Sequence, residues 1–157
     1  KAGRSSSDCA TRLAEAKARA VAVRHRNSLV LGADQMLDCD GEWFDKPHDR
    51  AEAREQLQRL RGRTHELITA ATIVCDERRL WQAIEKPRVT MREFSDAFLD
   101  RYLDGIGDRV LKTVGGYELE KLGARIMEKV DGDYFAILGL PLLPLMRFLR
   151  GAGALAA

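Results

Sequence analysis

The stretch LVLGADQML, Leu29–Leu37, decides how the chain is read. With the preceding Ser28 it gives SLVLGA, Ser28–Ala33, a short apolar run suited to a strand covered on both faces. The run stops at Asp34, which has two readings. It opens a turn, as Asp often does where strands end. Or it is a functional carboxylate just past the carboxyl end of a strand, where open α/β sheets bind ligands. There it would act as a general base on water or bind a divalent ion.

Upstream, SSSDCATRLAEAKARAVAVRHRN (5–27) predicts a helix. Ser7 or Asp8 can cap it, and Leu13, Ala16 or Lys17, Ala20 and Val23 or Arg24 recur at helical spacing. Asn27 is a suitable stop. Downstream, MLDCDGEWF predicts a hairpin, with Asp40-Gly41 as its two-residue turn. Pro47 then breaks the chain, and Asp49 can cap a helix with Ala51, Leu57 and Leu60 inward and Gly62 at its end.

Two strands follow around DERR, with Pro87 marking an edge or a bulge in the second. Ser95 can cap a helix with Phe98, Leu99, Tyr102 and Leu103 on one face. A Gly-Gly pair, a short helical turn, a strand with an Asp131-Gly132 turn and a last amphipathic helix, Pro141 in its first turn, complete the chain. Helices, a crossover and hairpins together predict an α/β fold with a mixed, partly antiparallel sheet flanked by helices.

Composition narrows the function. The chain has 157 residues, 45% of them hydrophobic, enough for one domain with a real core. A net charge of +2 with scattered basic residues gives no footprint for nucleic acid or a membrane surface. No apolar run approaches the roughly 18 residues of a membrane span. The three cysteines stand far apart, the pattern of reduced thiols in a cytoplasmic protein. No phosphate-binding P-loop, dinucleotide fingerprint or nucleophile elbow is present.

The polar candidates are individually weak. Lys46, in DKP, is a plausible phosphate ligand, acting as a point charge held before a proline. Lys17 would reach the same ligand if its helix flanks the sheet, or would pair on the surface with Glu15. In GRTHE, strand alternation puts Arg63 and His65 on one face, where either could help hold a triphosphate. In GGYELEKLG, glycines allow close approach of a ligand, and Glu118 and Glu120 can accept hydrogen bonds from a base.

The order of these features is more informative than any one of them. LAEAKARAV, GADQ, DKP, LRGRTHEL, TVGGYELEKLGA and VDGDYFAILGLPLLPL, in that sequence, resemble the Maf family of nucleotide pyrophosphatases from about Ser7 to Leu149. The resemblance implies hydrolysis of non-canonical or modified nucleoside triphosphates to the monophosphate and pyrophosphate, with Mg²⁺ or Mn²⁺. It implies a two-lobed Maf/ITPase-like architecture with a central cleft, and a possible homodimer.

By position, Asp34 matches the family's proton acceptor and possible metal ligand. Lys17 and Lys46 match phosphate-side lysines, and Gln35 and Glu120 match positions that sort substrates. Gln with Glu at those two positions resembles the 7-methyl-GTP branch; Thr with Gln resembles enzymes of thymidine and uridine triphosphates. Lys121 departs from the family's usual Gly. The family's opening strand and Ser-x-Ser-x-Arg-Arg loop have no match here, so residues 1–157 read as a single, N-terminally incomplete Maf-like domain. The alternative implied is a non-catalytic nucleotide-binding or cell-division module, since the family carries an association with septum formation.

Overall fold

The first helix packs through its smallest residues. In the computed structural model, which describes residues 5–156, α1 (Ser6–Ala22) buries Ala10, Ala14, Ala18 and Ala22. The predicted stripe faces elsewhere, with Leu13 44% and Val23 74% exposed. The surface beneath explains the correction. A Cβ added to Gly32, in β1 (Val30–Cys39), would lie 2.2 Å from the Ala14 carbonyl oxygen and 2.7 Å from the Ala18 nitrogen. Helix and strand backbones meet at Gly32, so only the alanine face of α1 fits. The cap is Ser5, whose hydroxyl accepts from the Asp8 N–H at 3.2 Å, rather than Ser7 or Asp8. Asn27 lies past the helix end in a left-handed conformation, its N–H donating to Asp76.

The remaining elements are β2 (Glu42–Phe44), α2 (Arg50–Leu60), β3 (Thr64–Cys75), β4 (Arg78–Glu85), β5 (Arg88–Met91), α3 (Asp96–Ile106), β6 (Met127–Asp131), α4 (Tyr134–Ile137) and α5 (Leu142–Gly151). Short 3₁₀ turns fill much of 107–126. The sheet has six strands in the order β2-β1-β3-β5-β6, with β4 also on β3. The registered pairs β1–β2, β3–β4, β3–β5 and β5–β6 are antiparallel. The chain divides into two compact units, residues 1–35, 68–86 and 133–157 in one and 36–67 and 87–132 in the other. Only β1 and β3 belong to both.

Within the first unit, α1 covers one face of β1, and Ala18, Ala22, Val30 and Val74 form an apolar cluster. Trp81 of β4 stacks on Phe148 of α5 at 5.7 Å between ring centres. Within the second unit, Asp40 and Gly41 both take positive φ and close the β1–β2 hairpin as predicted. Asp49 and Ser95 cap α2 and α3. Ala53, Gln56, Leu57 and Leu60 face inward on α2; Ala51, predicted inward, is exposed.

Two strand boundaries differ from the sequence reading. The strand predicted to end at Ala33 continues without a break to Cys39, so Asp34 sits in mid-strand rather than beyond a carboxyl end. The burial phase changes there: Val30 and Gly32 are buried before Asp34, Leu37 and Cys39 after it. Alternation that changes phase resembles an end when read as letters. Second, the strand expected across 80–94 is split at Lys86-Pro87 into β4 and β5. Proline has no N–H for the ladder, but its carbonyl still accepts from the Leu67 N–H at 3.0 Å.

Gly32→Ala is expected to lower the free energy of unfolding by about 2 kcal/mol, the usual cost of forcing a methyl group into a filled contact. Gly105→Ala in α3, where the added Cβ meets only Leu122 at 3.4 Å, is expected to be neutral or stabilising. Equal effects of the two in denaturant unfolding would show that Gly32 is not a close-contact position.

Candidate active site

Gly32 and Asp34 are two residues apart on one strand and so share a face, the face α1 covers. Lys17, one residue before the buried Ala18, is carried to that edge. Its Nζ donates to Asp34 Oδ1 at 2.5 Å and lies 3.4 Å from the Ala33 carbonyl. Glu15 is occupied elsewhere. Arg19 and Arg79 both bind its carboxylate, and the Arg19 hydrogen bond leads in holding it below the usual carboxylate range. Lys17 is therefore free to serve Asp34 rather than its own helix. The Asp34 side chain is 13% exposed and that of Lys17 58%. The result is a nearly buried anion with a cation reaching it from solvent.

The pleat sends Gln35 to the opposite face. Its Nε2 lies 2.8 Å from Thr69 Oγ1, 2.9 Å from the Ala136 carbonyl and 3.1 Å from the Ile137 carbonyl. Thr69 in turn donates to the Ala136 carbonyl, and the Asp133 carboxylate caps α4 at the Ala136 N–H. The GDYFA motif is thus tied to β1 through Gln35 and to β3 through Thr69. Thr69 was not among the sequence candidates; a threonine inside an apolar strand gives no signal of its own.

The other candidates lie in the second unit. Lys46 is exposed between Asp45 and buried Pro47, and no ion pair to it occurs among the described residues. Its loop is pinned at both ends: Gln56 donates to the Asp45 carbonyl, and Glu52 accepts from the His48 N–H. Glu118 is held by Lys121 at 3.1 Å and Arg109 at 3.5 Å. Glu120 is exposed. Arg63 and His65 each have partners in the second unit. Arg63 is bound to Asp40 at 2.6 Å and to the Arg59 carbonyl, and the Asp40 hydrogen bond raises its pKa further. His65 is only 1% exposed, its Nε2 2.7 Å from the Tyr117 hydroxyl. Each thus has a partner within its own unit, Arg63 at the surface and His65 in the interior.

The first unit thus presents a lysine–aspartate pair on a helix-covered strand, and the second a lysine on a pinned loop and a glutamate-bearing glycine turn. Comparison with known proteins identifies the family. The family model for Maf-like protein matches residues 1–152. A nucleoside triphosphate pyrophosphatase of Paramagnetospirillum magneticum is 54% identical over 143 residues, 91% of this chain and 74% of the relative. One of Nitrobacter hamburgensis is 49% identical over 96% of this chain and 75% of its own. A 7-methyl-GTP pyrophosphatase of Brucella abortus is 43% identical over 94% of this chain and 74% of its own. The chain belongs to the Maf-like family. None of its described helices is long and apolar enough to cross a membrane.

Burial lowers the His65 pKa from 6.5 to about 4. Between these values the unfolded chain binds the proton and the folded chain does not. The contribution is therefore complete above pH 6.5 and is lost as pH falls towards 4. Between pH 7 and pH 5 the loss is about 2 kcal/mol by this linkage. Denaturant midpoints at the two pH values should differ less in His65→Gln than in the unsubstituted protein; an equal pH slope would refute the buried neutral histidine.

Proposed function

We propose that this protein hydrolyses nucleoside triphosphates to the nucleoside monophosphate and pyrophosphate, with Asp34 as the base. The observation that carries the proposal is the Lys17–Asp34 pair, held by a backbone contact at Gly32 rather than by flexible surface chains. Water oxygen bonds to phosphorus, the bridging P–O bond between the α- and β-phosphates breaks, and the water proton passes to Asp34. Lys17 balances the charge of the carboxylate in the free protein and of the polyphosphate in the complex. Lys46 is proposed as a second phosphate contact from its family position and its lack of an ion pair among the described residues.

A divalent cation, Mg²⁺ or Mn²⁺, belongs to the proposal. Among the described residues no three His, Cys, Asp or Glu side chains gather into a preformed cage. Such ions are often held by one or two carboxylates together with the substrate's own phosphates. A single nearly buried Asp34 fits an ion that arrives with the nucleotide. Bound there, it would neutralise charge on the phosphate oxygens.

For the base, Glu120 together with Gln35 supports a 7-methyl-GTP-type substrate, in line with the name of the Brucella abortus relative. A carboxylate can accept from the N1–H and amino group of guanine. A homodimer and a cytoplasmic location carry over as proposals from the family resemblance and the cysteine pattern.

Pyrophosphate release with Mg²⁺ or Mn²⁺ across canonical and 7-methylated nucleotides tests the reading. Asp34→Asn is expected to lower kcat by about 10²–10⁴-fold, the range for loss of a general base, and excess chelator to abolish turnover. Release from no nucleotide, or unchanged release by Asp34→Asn, would refute it.

A further inference from the structure

Beneath the glutamate-bearing turn lies a polar arrangement that the proposed chemistry does not use. Gly115 and Gly116 both have positive φ, 76° and 70°. A Cβ on Gly115 would stand 2.6 Å from Leu37 Cδ1 and 2.9 Å from the Tyr117 ring. The ring therefore lies directly on the glycine backbone. Two successive residues are then anchored from different elements. The Tyr102 hydroxyl of α3 donates to the Gly116 carbonyl at 3.0 Å, and the Tyr117 hydroxyl meets His65 Nε2 of β3 at 2.7 Å. Tyr102, Tyr117 and His65 are 4%, 5% and 1% exposed.

Beyond the anchors the turn closes on itself. The Glu118 carbonyl accepts from the N–H groups of both Lys121 and Gly123 at 3.0 Å. A Cβ at Gly123 would come within 2.5 Å of that carbonyl oxygen.

A phenylalanine and an apolar residue would fill the Tyr117 and His65 positions without any polar group to satisfy. A buried neutral hydrogen bond adds little net stability, but it fixes direction, and leaving either partner alone is costly. Among the described residues His65 Nδ1 has no partner, so Nε2 carries the one hydrogen bond that directs the ring. We infer that His65, Tyr117 and Tyr102 form a clamp that positions the Glu118–Glu120 turn, and that the clamp sets how sharply the enzyme discriminates among nucleobases. They are positioning residues, acting through the turn on the base and not on the phosphates. The inference rests on the proposed reading of that turn as the base-recognising segment.

The test compares kcat/KM for 7-methyl-GTP or GTP with that for UTP in Tyr117→Phe and His65→Gln. Circular dichroism and thermal unfolding verify the fold. The clamp predicts a rise in KM for the preferred nucleotide of about five- to tenfold, a similar fall in discrimination, and kcat within about threefold. Tyr102→Phe, which frees only the Gly116 carbonyl, should move discrimination in the same direction, and it serves as the test if either other variant fails to fold. Unchanged discrimination in the folded variants, with Glu120→Gln altering it, would overturn the clamp and leave the base-reading turn standing. If Glu120→Gln and Glu118→Gln also leave discrimination unchanged, the reading of the turn falls and the clamp with it.

Discussion

The contact of α1 with β1 at Gly32 is the constraint on which the candidate catalytic pair depends. With the Ala14 carbonyl, the Ala18 nitrogen and the Ala18 Cβ against the strand, no side chain larger than a methyl group meets Gly32 at that point. The distance between the backbones is then set by covalent geometry rather than by adaptable packing. Lys17 and Asp34 each lie within two residues of the contact, so their meeting follows from the backbones. The arrangement gives up the burial of a large apolar side chain at this point, worth roughly 1.5–3 kcal/mol each elsewhere in a core. Alanine partly offsets that through its high helix propensity.

The Lys17–Asp34 pair is not a stability device. A lysine more than half exposed, bound to one carboxylate, contributes about 0–1 kcal/mol and is weakened by salt. The chain has other pairs of that kind, among them Arg54–Asp100, Arg61–Asp96 and Arg63–Asp40. Asp34 differs from those aspartates in burial, with 13% of its side chain exposed against more than half of each of theirs. A carboxylate largely withdrawn from water interacts more strongly with incoming charge, whereas those on the surface serve mainly as solvated partners.

What the sequence made legible is local. Asp40-Gly41 and the Asp49 and Ser95 caps each have a short-range cause, and each occurs in the structure. The α1 face was misread because periodicity favours large apolar residues, while Gly32, on the other element, selects small ones. β1 was cut short at Asp34 because its buried face changes there. His65 and Arg63 lie as close to the candidate motifs as Lys46 does, but nothing local reveals that Tyr117 and Asp40 already hold them. Lys17, Asp34, Lys46, Gln35 and Glu120 became a set only through their order along the chain, which carries family likeness and not geometry.

The two units illustrate two ways of fixing a functional side chain. A strand and a helix are already held by their own backbone hydrogen bonds, so shape alone can position Lys17 and Asp34, and a glycine suffices. The turn at 115–123 has no ladder. Gly115 and Gly116 take positive φ, which regular elements do not use, and the Gly116 carbonyl accepts its hydrogen bond from Tyr102. An irregular segment buried to this degree needs side-chain donors, and those donors must themselves be directed. Tyr102 and Tyr117 supply the hydroxyls, His65 directs one of them, and burial keeps that imidazole neutral. Polar anchoring therefore belongs where backbone geometry is least regular, and it places the buried histidine beneath a turn rather than at the phosphates.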